Sequence, residues 1–345
     1  MISIAVLTTT YRRNQELRLH LESLVRAERF SDVHVLVLIN GVDVQAEALL
    51  SEYVRKYSNI RFIKSERFAK GKARNVLMAK AKEADVFYFL DDDCQVPQNA
   101  FSVLMDIAEA NPDIDCFGGP NLTPPGANTF TRAQGYALGS LFGAFWVRDR
   151  YRIYGKPRLA DDRSLILCNL AIRSKLFKQA YALFNEALVC AEENLLIQNL
   201  ISAGHRCMHV PHLSVFHERR NSVPKFFCQV FIYGQGRCQI IKKSRGWNWL
   251  VYILSGFAVT GLCLFFWMYY GAILTTYIVL CVVNAAAIAV GVKDKKVFWP
   301  ILYIFPIIHA GYLLGFIWGL FMPARNICHL LVRKGSISRI LKISL

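Results

Sequence analysis

The sequence lacks the spacings that would make its cysteines a metal-binding or disulfide framework. Ten cysteines are scattered through 345 residues, and no CxxC pair occurs. Zinc-ligand spacing and a compact set of disulfides are therefore unsupported. The first residues, MISIAVLTTTYRRN, also lack a basic n-region, a long apolar core and a small-residue cleavage site, so we expect no signal peptide. We expect buried, reduced thiols in a protein that faces the cytosol.

Charge is missing from a long stretch of the C-terminal third. Residues 247–292 carry no charged side chain, and they form two apolar runs that are each long enough to cross a bilayer. We predict membrane spans at about 248–269 and 271–292. A third apolar run, about 297–322, contains Pro306, and we expect this proline to break it into a re-entrant or interfacial segment, a full third span being the alternative.

Basic residues flank the two clear spans and predict their orientation. The segments 242–245 (KKSR) and 293–296 (KDKK) are rich in lysine, and such segments stay on the cytoplasmic side. We therefore predict a cytoplasmic domain over residues 1–240 and a membrane region over 241–322, in a multi-pass protein of the inner (plasma) membrane. The tail, 323–345, is predicted to be a basic amphipathic helix on anionic lipid.

The net charge of the chain is strongly positive. Lysine and arginine total 41 against 25 acidic residues, which gives +16. This excess favours an anionic partner, which could be nucleic acid, a phosphorylated substrate or an acidic membrane surface.

The N-terminal region alternates short apolar runs with amphipathic segments. Strands are predicted at 2–10, 33–40, 59–65 and 85–93, and helices at 14–27, 45–57 and 69–84. This alternation is typical of an α/β domain with a mostly parallel sheet, in which ligands bind beyond the carboxyl ends of the strands. Residues 8–11, 40–43 and 91–93 are therefore expected along one rim.

Three consecutive carboxylates end the fourth predicted strand. Alternation along a strand directs Asp91 and Asp93 to one face and Asp92 to the other. Two convergent carboxylates repel each other unless a cation lies between them, and such hard oxygen ligands select Mg²⁺ or Mn²⁺. The alternative interpretation is a solvated acidic turn that caps the next helix.

Several motifs occur in a set order along the chain. They are VLTTTYRR at 6–13, VLVLINGVD at 35–43, KGKARNVLMAKA at 70–81, FLDDDC at 89–94, CFGGPN at 116–121 and LCNLAIRSKLF at 167–177. In this order the chain resembles the membrane-attached bacterial enzymes of glycosyltransferase family 2. The resemblance implies the GT-A fold, an α/β nucleotide-diphospho-sugar transferase domain, followed by C-terminal transmembrane helices.

The resemblance also implies roles for individual residues. Asp91, Asp93 and His217 would bind Mn²⁺ or Mg²⁺, and Glu193 takes the position of the catalytic base, since Glu192-Glu193 stands where the family has Glu-Asp. The implied nucleotide-sugar-binding residues are Thr8, Thr10, Tyr11, Arg12, Asn40, Asp43, Lys70, Arg74, Asn75 and Asp92. The implied residues on the acceptor or diphosphate side are Asn169, Glu192, Arg219, Arg220 and Arg237.

The function implied is the inverting, metal-dependent transfer of one sugar from a nucleoside diphosphate sugar to a hydroxyl. A polyprenyl-linked saccharide acceptor at the bilayer, in cell-surface polysaccharide biosynthesis, fits the predicted spans, and no nucleic acid partner is expected. The chain contains no Q-x-x-R-W run, so we do not expect processive polymer synthesis. Two alternatives remain: a nucleotidyl or phosphoryl transferase that uses the aspartate cluster, and a non-catalytic membrane binding or transport protein.

Overall fold

The computed structural model describes residues 2–188, 190–244 and 269–322. The chain forms two compact units. Unit 1 comprises Met1–Ala127 and Phe145–Arg219, and unit 2 comprises Asn128–Ala144 and Arg220–Leu345.

Unit 1 contains all the described strands and five of the described helices. The strands are β1 (Ile4–Thr10), β2 (Val33–Asn40), β3 (Ile60–Ser65), β4 (Val86–Phe89), β5 (Cys94–Gln95), β6 (Cys116–Gly118), β7 (Asn121–Leu122), β8 (Arg158–Leu159), β9 (Leu170–Arg173), β10 (Cys207–His209) and β11 (Val215–His217). The helices are α1 (Asn14–Arg26), α2 (Val44–Lys56), α3 (Lys70–Lys80), α4 (Ala100–Ala110) and, later in the chain, α7 (Glu192–Ser202).

The regular elements of unit 2, in its described part, are all helices. Its helices are α5 (Thr129–Leu138), α6 (Leu141–Ala144), α8 (Val223–Ser244), α9 (Tyr270–Gly291) and α10 (Phe298–Phe321). The predicted domain boundary at residue 240 lies inside α8.

The strands of unit 1 form one large mixed sheet and one small sheet. The large sheet has the order β3-β2-β1-β4-β9-β6-β10-β8, in which β3, β2, β1 and β4 run parallel. Strand β9 lies between β4 and β6 and is antiparallel to both. The small sheet has the order β5-β11-β7. The predicted α/β class is confirmed, and the sheet that we expected to be mostly parallel is large and mixed. The four predicted strands and three predicted helices of residues 1–93 are all present.

The centre of the large sheet is buried because its strands are apolar. Phe87, Tyr88 and Phe89 of β4 have no more than 2% of their surface exposed, and Leu77 and Met78 of α3 are buried as well. Burial of one such side chain stabilises the fold by about 1.5–3 kcal/mol. The apolar run therefore ends where the sheet ends, and the three aspartates follow at its rim.

Two C-terminal helices have the length and composition of membrane spans. Tyr270–Gly291 and Lys295–Phe321 are long and apolar enough to cross a bilayer. The first of these corresponds to the span predicted at 271–292. Helix α10 runs continuously through Pro306, so our expectation that this proline breaks the segment was wrong. The span predicted at 248–269 and the tail at 323–345 lie outside the described residues.

Glycines of α10 allow α8 to pack closely against it within unit 2. Gly311, Gly315 and Gly319 are spaced four residues apart, so they lie on one face of the helix. A Cβ atom added at Gly315 would lie 1.9 Å from the carbonyl oxygen of Phe231 in α8. Backbone cannot give way as a flexible side chain would, so this position excludes any larger residue.

We expect the substitution Gly315→Ala to destabilise unit 2. The added methyl group overlaps the Phe231 carbonyl, and overpacking of this kind costs about 1–3 kcal/mol. The measurement is thermal unfolding of the full chain in detergent. Gly291→Ala is the matched control, because a Cβ there meets nothing within 4 Å. Equal melting temperatures for the two variants would contradict the packing described.

Candidate active site

A cluster of polar side chains lies where β1 and β4 end. Asp92 accepts hydrogen bonds from Thr10 Oγ1 at 2.8 Å and from Arg13 Nη1 at 3.1 Å. The same Arg13 nitrogen donates to Asp93 Oδ2 at 2.5 Å. Arg13 therefore joins two neighbouring carboxylates that are each only 5% exposed. The sequence motif led us to predict Arg12 as a site residue instead. Two adjacent arginines in a sequence do not reveal which side chain faces the carboxylates.

Burial and mutual repulsion set the protonation behaviour of this cluster. Burial, with the repulsion of Asp93, raises the pKa of Asp92 to about 7 despite the opposing effect of Arg13. Burial lowers the pKa of the Arg13 guanidinium, but Asp93 and Asp92 outweigh it and the net change is a rise. Arg13 is therefore charged at any physiological pH and compensates part of the negative charge.

The small sheet brings a histidine to the same cluster. Pairing of β11 with β5 places His217 opposite Cys94, the residue after Asp93. His217 Nε2 consequently lies 3.2 Å from Asp93 Oδ1. Burial lowers the pKa of His217, but the Asp93 carboxylate outweighs burial and raises this pKa to about 9.

The two outer aspartates and the histidine have a geometry that fits a divalent cation. One ligand atom from each of Asp91, Asp93 and His217 can be chosen so that all three lie within 4.8 Å of one another. Two carboxylates and one imidazole are a donor set that suits a divalent ion such as Mn²⁺. Asp92 accepts from Thr10 and from the same Arg13 nitrogen as Asp93, and residues 91–93 lie beyond the end of β4, so the alternation that we expected along a strand does not apply to them.

Arg74 connects this cluster with the start of α7. Its Nη2 lies 3.3 Å from Asp91 Oδ1, and its Nη1 donates to Glu192 Oε1. Burial lowers the pKa of Arg74, yet Glu192 and Asp91 reverse the effect and raise it. Since Arg74 and Glu192 are almost wholly buried, each is the main compensation for the charge of the other.

Helix α7 begins with two buried carboxylates. Ala191 precedes the helix with a left-handed backbone (φ 60°), and Glu192 and Glu193 form the first turn. Burial, together with the nearby charge of Glu192, raises the pKa of Glu193 to about 7. Arg150, which sequence reasoning missed, opposes this rise and donates to Asn194 Oδ1 at 2.8 Å. No local pattern around Arg150 indicated this role, because its partners are distant in sequence.

Several residues that we predicted to bind the nucleotide lie in the loops after β1 and β2. Asp43 accepts from the backbone N–H of Arg12 at 2.5 Å and caps α2 through Ala46 N–H at 3.1 Å. The guanidinium of Arg67 lies 3.8 Å from the centre of the Tyr11 ring, and that of Arg12 lies 5.0 Å from it.

Asn40 and Arg12 contribute to this region in different ways. The Asn40 amide accepts from the N–H of Phe68 at 2.7 Å and donates to its carbonyl at 3.2 Å. Arg12 has a left-handed backbone (φ 55°) and an exposed side chain. Asn40 therefore fixes the chain ahead of α3, whereas the side chain of Arg12 is open to solvent.

Three predicted site residues use their polar atoms inside the fold. Thr8 is fully buried and pairs with His20 Nε2 at 3.1 Å. Asn75 binds the backbone of Phe184 at 3.0 and 2.9 Å. Asn169 is fully buried and accepts from Tyr88 at 2.8 Å while donating to the carbonyl of Leu213. The structure therefore gives them positioning contacts.

The remaining predicted residues are Lys70, Arg219, Arg220 and Arg237. Lys70 is exposed at the start of α3. Arg219 donates to the carbonyl of Asn121 at 2.7 Å. Arg220 and Arg237 belong to unit 2, where the carbonyl of Arg220 accepts from Gln134. Their ligand contacts stay predictions.

Comparison with solved structures defines the class of this fold. The chain is similar to the mannosyltransferase PcManGT from Pyrobaculum calidifontis in complex with GDP-Man and Mn²⁺, with a TM-score of 0.59, 13% identity, and coverage of 92% of this chain and 87% of that one. It is also similar to S. aureus TarS 1–349 in complex with UDP-GlcNAc, with a TM-score of 0.51, 14% identity, and coverage of 92% and 91%. The fold is that of the GT-A glycosyltransferases.

Sequence comparison gives the family. The profile described as glycosyl transferase family 2 matches residues 5–180, which is half of the chain. The chain therefore belongs to glycosyltransferase family 2. A comparison with curated proteins gives no match.

We expect Arg74→Ala to destabilise unit 1 strongly. The substitution leaves the Glu192 charge buried without its partner, and breaking a buried pair costs about 3–5 kcal/mol. Chemical denaturation of the full chain measures the change. Arg206→Ala is the control, because the Arg206–Asp113 pair is about half exposed and should contribute little. A second test replaces both Arg74 and Glu192 by leucine, which should recover part of the loss. A loss equal to that of Arg206→Ala would contradict the assignment.

Proposed function

We propose that this glycosyltransferase moves one sugar from a nucleoside diphosphate sugar to a hydroxyl acceptor and inverts the configuration at the anomeric carbon. The observation that carries the proposal is that unit 1 contains both a group of side chains that could bind a cation and a buried carboxylate, Glu193, whose pKa is raised. Asp91, Asp93 and His217 form the cation-binding group, and the Arg74–Glu192 ion pair connects it to Glu193.

The donor nucleotide is proposed to bind at the loops after β1 and β2. Tyr11, Arg12 and Asn40 lie there, and Asp43 shapes the loop through its hydrogen bonds to backbone N–H groups. Arg13 and Thr10 keep Asp92 in place, so the carboxylate cluster is preorganised for a ligand that carries a cation. Similar structures contain GDP-Man and UDP-GlcNAc, which supports a nucleoside diphosphate sugar as the donor class.

Asp91, Asp93 and His217 are the residues proposed to hold Mn²⁺ or Mg²⁺. Such an ion supplies positive charge that neutralises the diphosphate leaving group as the glycosidic bond breaks. Arg13 and Arg74 also contact Asp93 and Asp91, so a bound ion would share these two carboxylates with the arginines.

Glu193 is proposed to be the general base. The acceptor hydroxyl would give its proton to the Glu193 carboxylate while its oxygen attacks the anomeric carbon from the side opposite the diphosphate, so the configuration inverts. A base works best when its pKa is close to the working pH, and burial brings the pKa of Glu193 to about 7. Arg150 and Arg74 limit how far this pKa rises, because both attract the ionised form.

The acceptor is proposed to be lipid-linked, such as a polyprenyl-linked saccharide of cell-surface polysaccharide biosynthesis. Two helices of unit 2 have the length and composition needed to cross a bilayer, which supports membrane attachment. Basic residues flank these segments, so we place the catalytic unit on the cytoplasmic face of a multi-pass protein of the inner (plasma) membrane.

Glu193→Gln is expected to lower the transfer rate by about 10²–10⁴-fold, because the amide cannot accept the proton. The measurement is sugar transfer under saturating donor with the full chain in detergent. Glu83→Gln removes the same charge from an exposed position and is expected to keep the rate. In the unaltered protein the rate should rise with pH through about 7, as Glu193 loses its proton. Near-normal turnover by Glu193→Gln would end this assignment.

Removal of divalent cations with a chelator is expected to abolish transfer, because the diphosphate charge is then uncompensated. Addition of Mn²⁺ or Mg²⁺ should restore the rate in the unaltered protein. Asp93→Asn should need a much higher ion concentration, whereas Asp106→Asn, at an exposed position on α4, should behave like the unaltered protein. Full activity in the presence of chelator would refute the metal assignment.

A further inference from the structure

Two thiols and an imidazole meet next to the carboxylate cluster. One ligand atom from each of Cys94, Cys168 and His217 lies within 4.8 Å of the others, and all three residues are buried. Pairing of β5 with β11 places Cys94 opposite His217. Cys168 lies in a 3₁₀ turn, Leu167–Asn169, directly before β9. Because the start of β9 pairs with the end of β4, this turn lies next to the end of β4. The three residues are distant in sequence and are assembled by the fold.

The imidazole has an unused donor or acceptor atom. His217 Nδ1 is buried and has no hydrogen-bond partner among the described residues, whereas Nε2 faces Asp93 at 3.2 Å. A buried polar atom without a partner costs about 1–3 kcal/mol, so native structures seldom leave one without a reason. A bound ion on this side of the ring would supply the partner.

The two sulfur atoms are already arranged as neighbours. The Cys94 thiol donates to the sulfur of Cys168, and the Asn121 side-chain amide donates to the same sulfur at 3.4 Å. An amide donor of this kind stabilises a thiolate ligand from outside the metal's own coordination sphere. Thiolate and imidazole together select thiophilic divalent ions, of which Zn²⁺ is the most common in proteins.

We propose that Cys94, Cys168 and His217 form a second metal site, which binds a thiophilic divalent cation such as Zn²⁺. The two thiolates and the imidazole supply three of four tetrahedral positions, and a water molecule takes the fourth. Both thiols, and the His217 imidazolium where it is protonated, release their protons to bulk water when the ion binds.

The second site has a consequence for the first, and this consequence rests on the proposed function. His217 belongs to both groups of ligands, and a neutral imidazole has one nitrogen lone pair for a metal, so it can bind only one of the two ions at a time. Zn²⁺ at the thiols therefore weakens binding of Mn²⁺ or Mg²⁺ at Asp91 and Asp93, and it inhibits sugar transfer.

Cobalt is the probe for the thiol site. The full chain in detergent, reduced and free of other metals, is titrated with Co²⁺ in the absence of any sugar nucleotide. Binding is expected to produce the near-ultraviolet charge-transfer absorption of cobalt thiolate. Cys94→Ser and Cys168→Ser should each lose this absorption or weaken Co²⁺ binding by more than about tenfold. Loss of a hydrogen-bond partner outside the coordination sphere already weakens metal binding by about tenfold, and loss of a ligand should cost more.

Cys116→Ser is the matched control. Cys116 and Cys207 are a second pair of buried, hydrogen-bonded thiols. In the described part of the chain, no histidine lies close enough to both of them to bind the same ion. This variant should keep the cobalt absorption. Circular dichroism verifies that each variant is folded, and Co²⁺ should raise the melting temperature of the unaltered protein and of Cys116→Ser by more than that of Cys168→Ser, which keeps only the aspartate site.

The outcomes separate this inference from the proposed function. Absence of the absorption in the unaltered protein, or equal absorption in folded Cys168→Ser, overturns the second site even if sugar transfer is observed. Thiolate absorption that depends on Cys94 and Cys168 supports the site even if every sugar nucleotide fails as a donor. With an active donor, inhibition by Zn²⁺ that is weaker in Cys168→Ser supports the link between the sites, and equal inhibition contradicts it.

Discussion

The compensation of buried negative charge is the constraint on which this site depends. Five carboxylates, from Asp91 to Asp93 and at Glu192 and Glu193, follow β4 or begin α7, and four of them are at most 8% exposed. Two arginines, Arg13 and Arg74, neutralise part of this charge through direct contacts. Each arginine contacts two carboxylates, so removing either one leaves charge that the surrounding apolar core cannot stabilise.

The topology of the sheets explains why these residues meet. The parallel strands β1 and β4 end at one rim, which gathers Thr10 and the three aspartates. Insertion of the antiparallel β9 beside β4 adds residues from the second half of unit 1, and the small sheet adds His217. Helix α3 then connects this rim to α7 through Arg74. Residues that are close in sequence form the rim, whereas pairing between distant strands brings the remaining side chains of the site to it.

Much of the first half of unit 1 could be predicted because its signals are local. Apolar runs and helical periodicity located β1 to β4 and α1 to α3, but β4 ends at Phe89, so strand alternation does not set the directions of the three aspartates. Contacts between distant segments could not be predicted in this way. The choice of Arg13 over Arg12 depends on one left-handed residue in a loop, and the approach of Cys168 to Cys94 depends on the pairing of β9. Cysteine spacing alone therefore indicated no metal site.

The ring of Tyr11 shows how a planar ligand could enter this protein at little cost. A guanidinium, that of Arg67, already covers the ring at 3.8 Å. A heterocycle arriving at the same face would exchange one stacked neighbour for another, and a cation over an exposed aromatic ring contributes only about 0.5–1 kcal/mol. The Arg67 side chain, once displaced, would keep its positive charge beside the bound heterocycle. The Arg67 guanidinium thus keeps one face of the Tyr11 ring out of water.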